Sequence, residues 1–278
     1  MKQSTTVRRC LAATASVLLL LLGACAPSTS QSSSTPTGSA TETSSRTPTP
    51  SASTPPATGS ITVLAPGTLA NAVPALNGSF TSSNPDATVT PNLGHSPAQV
   101  IALQQGSPGD VFITIGADSM VQAQSSSLLS SSPVIFARNR FVIVVPKGNP
   151  KHITAVSDLP NVTTVLADTS TPGGMMTDQL LKKDNVTVNP VSREQGPPAV
   201  VQKVATGNAD AGLAFETDVQ GNDQVEGIPI PDDQQVPVLY EAATLAKSNN
   251  PKAAQAYVNF LNSAAGQQVL QGMQFLAP

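Results

Sequence analysis

Apolar positions divide the chain into three regimes. Cys10 to Leu22 is a continuous apolar run, Ala26 to Gly59 has no apolar periodicity, and from Ser60 short β-branched runs alternate with stretches of helical period. The runs Ile61–Leu64, Ala87–Thr90, Asp110–Ile115, Phe141–Val145, Thr163–Ala167 and Ala211–Phe215 predict strands, and Val236–Lys247 predicts a long one. Ala98–Gln105, Met175–Lys183 and Ala199–Thr206 predict helices, the last closed by Gly207, and Ala253–Gly272 predicts one final helix. Such alternation implies an α/β fold with mainly parallel sheets. One segment is in conflict with itself. Leu69–Phe80 falls where the scheme needs a helix, yet Pro74 lies inside it and Gly78 near its end, and an interior proline costs about 3 kcal/mol.

The first regime is an address. Lys2, Arg8 and Arg9 precede the apolar run, which is shorter than the roughly 20 residues of a membrane span. The run ends Leu22-Gly23-Ala24-Cys25, which resembles the lipobox of bacterial lipoproteins. The resemblance implies that residues 1–24 are a signal peptide and that Cys25 is acylated; an ordinary signal peptide with a chance cysteine is the alternative. Residues 25–59 are rich in Ser, Thr and Pro, with Glu42 and Arg46 their only charges. They lack the apolar surface to offset ordering entropy, so they read as a tether, with a composition that also suits O-glycosylation. Residues 60–278 are left as the folded part.

Composition narrows the chemistry. Fourteen basic residues face seventeen acidic ones, and without the first nine residues the balance is 11 against 17, a net of −6. That excludes a strong basic patch for nucleic acid. With aromatics at 3% and no Trp, the core is aliphatic and a stacking platform is disfavoured. Two His and two Cys are too few for a zinc or disulfide framework.

What remains is a set of helix starts. Ser96-Pro97 reads as N-cap and N1, and Thr171-Pro172 does the same for the next helix. Gly196-Pro197-Pro198 opens a third, and Thr68, after Ala65-Pro66-Gly67, follows the first strand. Each is expected at the C-terminal edge of a sheet, where open α/β sheets bind ligands. Free N–H groups and the positive dipole end make such places anion receptors without Lys or Arg. The plainer reading of any single one is a well-capped helix.

Taken in order over Ser60 to Phe275, the chain resembles the molybdate-binding proteins of ABC importers. Ile61–Ala65 with Gly67-Thr68-Leu69 is similar to the family's opening strand and turn. Gly106-Ser107-Pro108-Gly109-Asp110-Val111-Phe112 is similar to its Gly-Ala-Pro-Ala-Asp-Val-Phe signature, and Asn139–Pro150 to its hinge-crossing strand. Gly207-Asn208-Ala209-Asp210-Ala211-Gly212 and the stretch from Asn250 to Phe275 continue the match. The resemblance implies a two-lobed periplasmic-binding-protein fold of type II-like form, two mainly parallel sheets joined by hinge strands. Lobe one is then about 60–140 with 237–278, and lobe two about 141–236. It implies a ligand-bearing cleft and no cofactor, with molybdate or tungstate bound as the oxyanion. It also implies docking on a permease from the outer face of the cytoplasmic membrane, as a lipid-anchored monomer. The site residues it implies are Thr68, Ser96 and Gly173, with Pro197 and Phe215 at two further donor positions. Proline has no N–H and phenylalanine no hydroxyl, so the sequence departs from the pattern at both. Gly196, Gln195 or Arg193 are the candidate replacements, Arg193 bringing a charge.

Other classes fit less well. Gly94-His95-Ser96-Pro97-Ala98 has the look of a hydrolase elbow, but Pro97 lacks the N–H that an oxyanion hole takes from that position. Asp110 and Asp210 suit turns and caps rather than acid–base work, and no carboxylate cluster suggests a cation receptor. A divergent receptor for another small anion or solute, or a surface lipoprotein that kept the fold as a sensor, stays open.

Overall fold

The computed structural model describes residues 55–278. The expected signal peptide, Cys25 and all of the expected tether up to residue 54 lie outside the described residues. The end of that tether belongs to the domain instead. Ala57 N–H donates to Asn84 Oδ1 at 2.7 Å, and the Thr58 carbonyl accepts from Asn250 Nδ2 at 2.8 Å.

Two five-stranded sheets form the molecule. The first has the order β2-β1-β3-β10-β4, from β1 (Gly59–Pro66), β2 (Ala87–Gly94), β3 (Val111–Ile115), β4 (Val134–Asn139) and β10 (Val238–Thr244). The second has the order β7-β6-β8-β5-β9, from β5 (Phe141–Pro146), β6 (Thr164–Ala167), β7 (Ser192–Glu194), β8 (Ala211–Phe215) and β9 (Val225–Pro229). The central strands β3, β6 and β8 are buried at every position, as largely apolar runs between helical layers must be. Helices α1 (Val73–Ser83), α2 (Ser96–Gln104), α3 (Asp118–Ser125), α7 (Pro251–Leu261) and α8 (Ala264–Gly272) serve the first sheet, and α4 (Pro172–Lys183), α5 (Pro197–Ala205) and α6 (Glu216–Val219) the second.

The sheets are mixed rather than mainly parallel. β1 pairs in parallel with β2 and β3, and β6 with β7 and β8, while every pairing of β5 and β10 is antiparallel. β5 and β10 are where the chain enters each sheet from the other, with no crossover helix to restore a parallel direction. The chain crosses at Arg140 and returns through residues 230–237. Gln235 ties the two crossings together: its Oε1 accepts from Phe141 N–H at 2.9 Å and its Nε2 donates to Phe141 O at 2.8 Å.

The conflict at Pro74 resolves by a shift of the helix start. A 3-10 turn (Gly67–Leu69) follows β1, and α1 begins only at Val73, so Pro74 sits in the first turn, where its missing N–H costs nothing. The helix then buries Val73, Leu76 and Phe80 on one face. The expected final helix is two. Ser263 Oγ accepts from Gly266 N–H at 3.2 Å and donates to Phe260 O at 2.7 Å, which ends α7 and caps α8. The expected strand 236–247 shortens to β10. Elements α3, α6, β4, β7 and β9 come in addition to those the pattern predicts.

Candidate functional site

The loops after β1, β2, β6 and β7 all leave the C-terminal ends of parallel strands, and they meet. Together they line one cavity of ≈ 100 Å³ between the sheets.

Thr68 reaches the cavity from the 3-10 turn after β1 and is half-buried. Its hydroxyl oxygen accepts from Tyr240 Oη at 3.1 Å. Ser96 opens α2 and is fully buried, and its Oγ has no hydrogen-bond partner among the described residues. The cap position itself belongs to His95, not to Ser96, because the His95 carbonyl accepts the first helical bond from Gln99 N–H at 3.0 Å. The expected Ser96 cap and Pro97 first position therefore move inward by one residue, which turns the Ser96 hydroxyl away from its own backbone. His95 is exposed at the rim.

From the second sheet, Thr171 caps α4 as expected, its Oγ1 accepting from Gly174 N–H at 3.1 Å and donating to Asp168 O at 2.7 Å. That leaves Gly173 N–H with no acceptor among the described hydrogen bonds. Ser96 N–H and Thr68 N–H are in the same condition. Gly173 is also where α4 meets α5, since a Cβ there would lie 2.6 Å from the Pro197 ring. Gly196 precedes α5 at φ 121°, a conformation glycine tolerates. Pro197 and Pro198 follow it, so the first turn of α5 presents pyrrolidine rings to the cavity and no N–H at those positions.

Two expected residues stand apart. Phe215 ends β8 fully buried, does not line the cavity, and packs on Phe141 with ring centroids 4.7 Å apart. It lies under Gly173 and Pro197, so it supports the floor. Arg193 is turned outward. Its guanidinium donates to Ala167 O at 3.1 Å and meets Asp178 at 3.4 Å, so it brings no charge to the cavity. Gln195 and Gly196, from the same loop, do line it. The cavity thus has no Lys, Arg, Asp or Glu in its lining, and its polarity comes from hydroxyls and helix N-termini.

Pattern reading missed Tyr240 and Asn139, which stand behind Thr68. Tyr240 is fully buried in β10, and burial pushes its pKa up, so it keeps its proton. The signal for it was an isolated Tyr in a strand with no other aromatic residue. Asp110 and Asp210, by contrast, hold loops: Asp110 accepts from Thr62 N–H, Ser248 Oγ and Asn249 N–H, and Asp210 from Thr163 N–H.

Comparison with known proteins places these features in context. A family model described as bacterial extracellular solute-binding protein matches residues 61–275. The molybdate-binding protein ModA of Mycobacterium tuberculosis is 32% identical over 222 residues, 79% of this chain and 85% of that protein. Among solved structures, the periplasmic molybdate-binding protein of Azotobacter vinelandii superposes with a TM-score of 0.64 at 14% identity, covering 78% of this chain and 99% of that one. The sulfate-binding protein SubI of M. tuberculosis does so at 0.67 and 18%, covering 78% and 86%. Both share the two-lobed fold.

Proposed function

The chain belongs to the bacterial extracellular solute-binding proteins, and we propose that it captures molybdate or tungstate as the oxyanion for an ABC importer. One observation carries the reading. The Ser96 hydroxyl is fully buried with no protein partner, beside free N–H groups at the starts of α2 and α4, in a cavity without charged side chains. Buried polar groups are rarely left unpaired, and donors with no acceptor suit a small anion. Thr68, Ser96 and Gly173 are then the donors. Pro197 shapes the wall, and Gln195 takes the place that Arg193 does not fill, since Gly196 N–H already donates to Glu194 O at 2.7 Å. The M. tuberculosis relative is a molybdate-binding protein by name, which supports molybdate among the anions. Binding, not catalysis, is the activity this site supports.

Calorimetric titration of the full chain with molybdate, tungstate, sulfate and phosphate tests the reading. Heat with the first two and none with sulfate is expected; silence with all four overturns it. The same reading includes a lipid anchor at Cys25 on the outer face of the cytoplasmic membrane, docking on a permease as a monomer. The anchor rests on Leu22-Gly23-Ala24-Cys25. Labelled palmitate should enter the wild-type chain and not Cys25→Ser, and equal labelling of the two would remove the anchor.

A further inference from the structure

A hydroxyl can give one proton and accept two, so what Thr68 offers the cavity depends on what it already takes. It takes a proton from Tyr240, whose phenol donates to it at 3.1 Å, and Asn139, where the chain leaves the same sheet, is fixed nearby. Arg140 N–H, which can only donate, points to Asn139 Oδ1 at 2.9 Å. That identifies the oxygen of the Asn139 amide, and the other end is its NH₂. The NH₂ donates to Thr217 Oγ1 at 2.8 Å. In the Tyr240–Thr68 pair the phenol is the donor, so its proton points to Thr68. The Thr68 proton is then the one left for the cavity.

Tyr240 is well placed to hold this polarity. Its ring packs edge-on against Phe275 with centroids 5.4 Å apart and tilts against Phe136 at 6.2 Å. The β10–β4 register shifts between Tyr240 and Glu241, and such irregularities re-aim side chains beside sites.

We infer that Tyr240 is a specificity-determining positioning residue: through Thr68 it fixes a donor into the cavity and so favours fully deprotonated oxyanions over protonated ones. This rests on the anion reading of the cavity given above. A protonated oxyanion must place its own proton on an acceptor, and a donor aimed at that proton rejects it. Thr171 offers no acceptor, since its hydroxyl is already spent on Asp168 O and Gly174 N–H. Ser96 and Gln195, which can accept, are the same with and without Tyr240, so the contrast between wild type and Tyr240→Phe isolates Thr68.

The test is calorimetry on the full chain with molybdate and inorganic phosphate, from about pH 6 to about pH 8, the range over which phosphate loses its second proton. In the wild-type chain, phosphate binding should strengthen with pH while molybdate binding stays level. Tyr240→Phe frees Thr68 to accept. It should weaken molybdate about tenfold, the loss of one hydrogen bond's orientation, and lower the molybdate-to-phosphate ratio at about pH 6 by at least that factor. With Thr68→Val already present, Tyr240→Phe should change neither. An unchanged ratio in a folded Tyr240→Phe chain, or an equal effect in the Thr68→Val background, overturns the inference while the anion site stands. If Tyr240→Phe does not fold, equal phosphate binding by the wild-type chain at both ends of the pH range overturns it. A wild-type chain that binds no molybdate removes the anion reading, and the inference with it.

Discussion

Ser96 carries two opposed demands. Its hydroxyl is buried without a partner, a condition that costs about 1–3 kcal/mol relative to a satisfied group. Yet a hydrogen bond from it to an anion contributes about 1.5–3 kcal/mol when the ligand is present. Ser96→Ala removes both at once. Binding of molybdate should weaken at least tenfold, while the ligand-free chain should melt no lower than wild type, and by this argument slightly higher. Calorimetry and thermal melts of the same two proteins check it, and an Ala variant that binds normally would remove Ser96 from the site. Thr171 provides the contrast: the same kind of residue at the same kind of helix start, but with its hydroxyl satisfied on both sides. The sequence carries no mark that separates the two. Both read as N-caps before Pro, and only the one-residue shift of the α2 start distinguishes them.

The loops that make the cavity were legible as elements more than as residues. Proline just inside a helix and a small polar residue before it are local signals, and they marked α2, α4 and α5 because each is decided within four residues of chain. The meeting of these starts was also legible, since strands with parallel neighbours send their C-terminal ends to one edge. What escaped is decided at long range. β4 and β9 are short and alternate weakly, and each exists because it pairs antiparallel with a strand on a chain crossing, β10 or β5. β7 has three residues, none fully buried, and is held by its neighbour β6. Arg193 was read as a candidate donor from its position alone. Its direction follows from Asp178, 15 residues earlier on α4, and from the Ala167 carbonyl. Gly173 shows the same dependence. Its need for glycine comes from the approach of Pro197, 24 positions away, with no sign in the residues beside it.

At the scale of the whole molecule, a set of polar contacts near Arg140 joins the two sheets, beside an apolar core that contains buried residues of both. Arg140 and Glu216 pair at 3.0 Å, but both side chains are more than a third exposed, so screening leaves that pair little weight. The buried contacts matter more: Asn139 to Thr217, and the Gln235 clasp on Phe141. Asp218 sits in this junction, next to Thr217 and near Tyr240. Burial is the main cause that pushes its carboxyl up to about 7, against one opposing hydrogen bond from Phe215 N–H at 3.2 Å. In the unfolded chain an aspartate ionises near about 3.9. Between these values the folded chain keeps a proton that the unfolded chain has lost, so stability declines as pH rises from about 4 toward about 7, by at most about 1.4 kcal/mol per pH unit. Below that window the contribution is fully retained, and above it the loss is complete. Asp218→Asn keeps an acceptor for Phe215 N–H and removes the ionisation. It should therefore melt higher than wild type at about pH 8 and close to wild type only at about pH 4 or below, with the gap opening between them. Melting curves of both proteins across that range check it, and a gap that does not change with pH would mean that Asp218 is ionised throughout. Asp218 lies one residue from Thr217, which takes its hydrogen bond from Asn139, and its charge adds to the burial that raises the pKa of Tyr240, the donor to Thr68. The junction and the residues that aim a donor at the cavity are therefore neighbours.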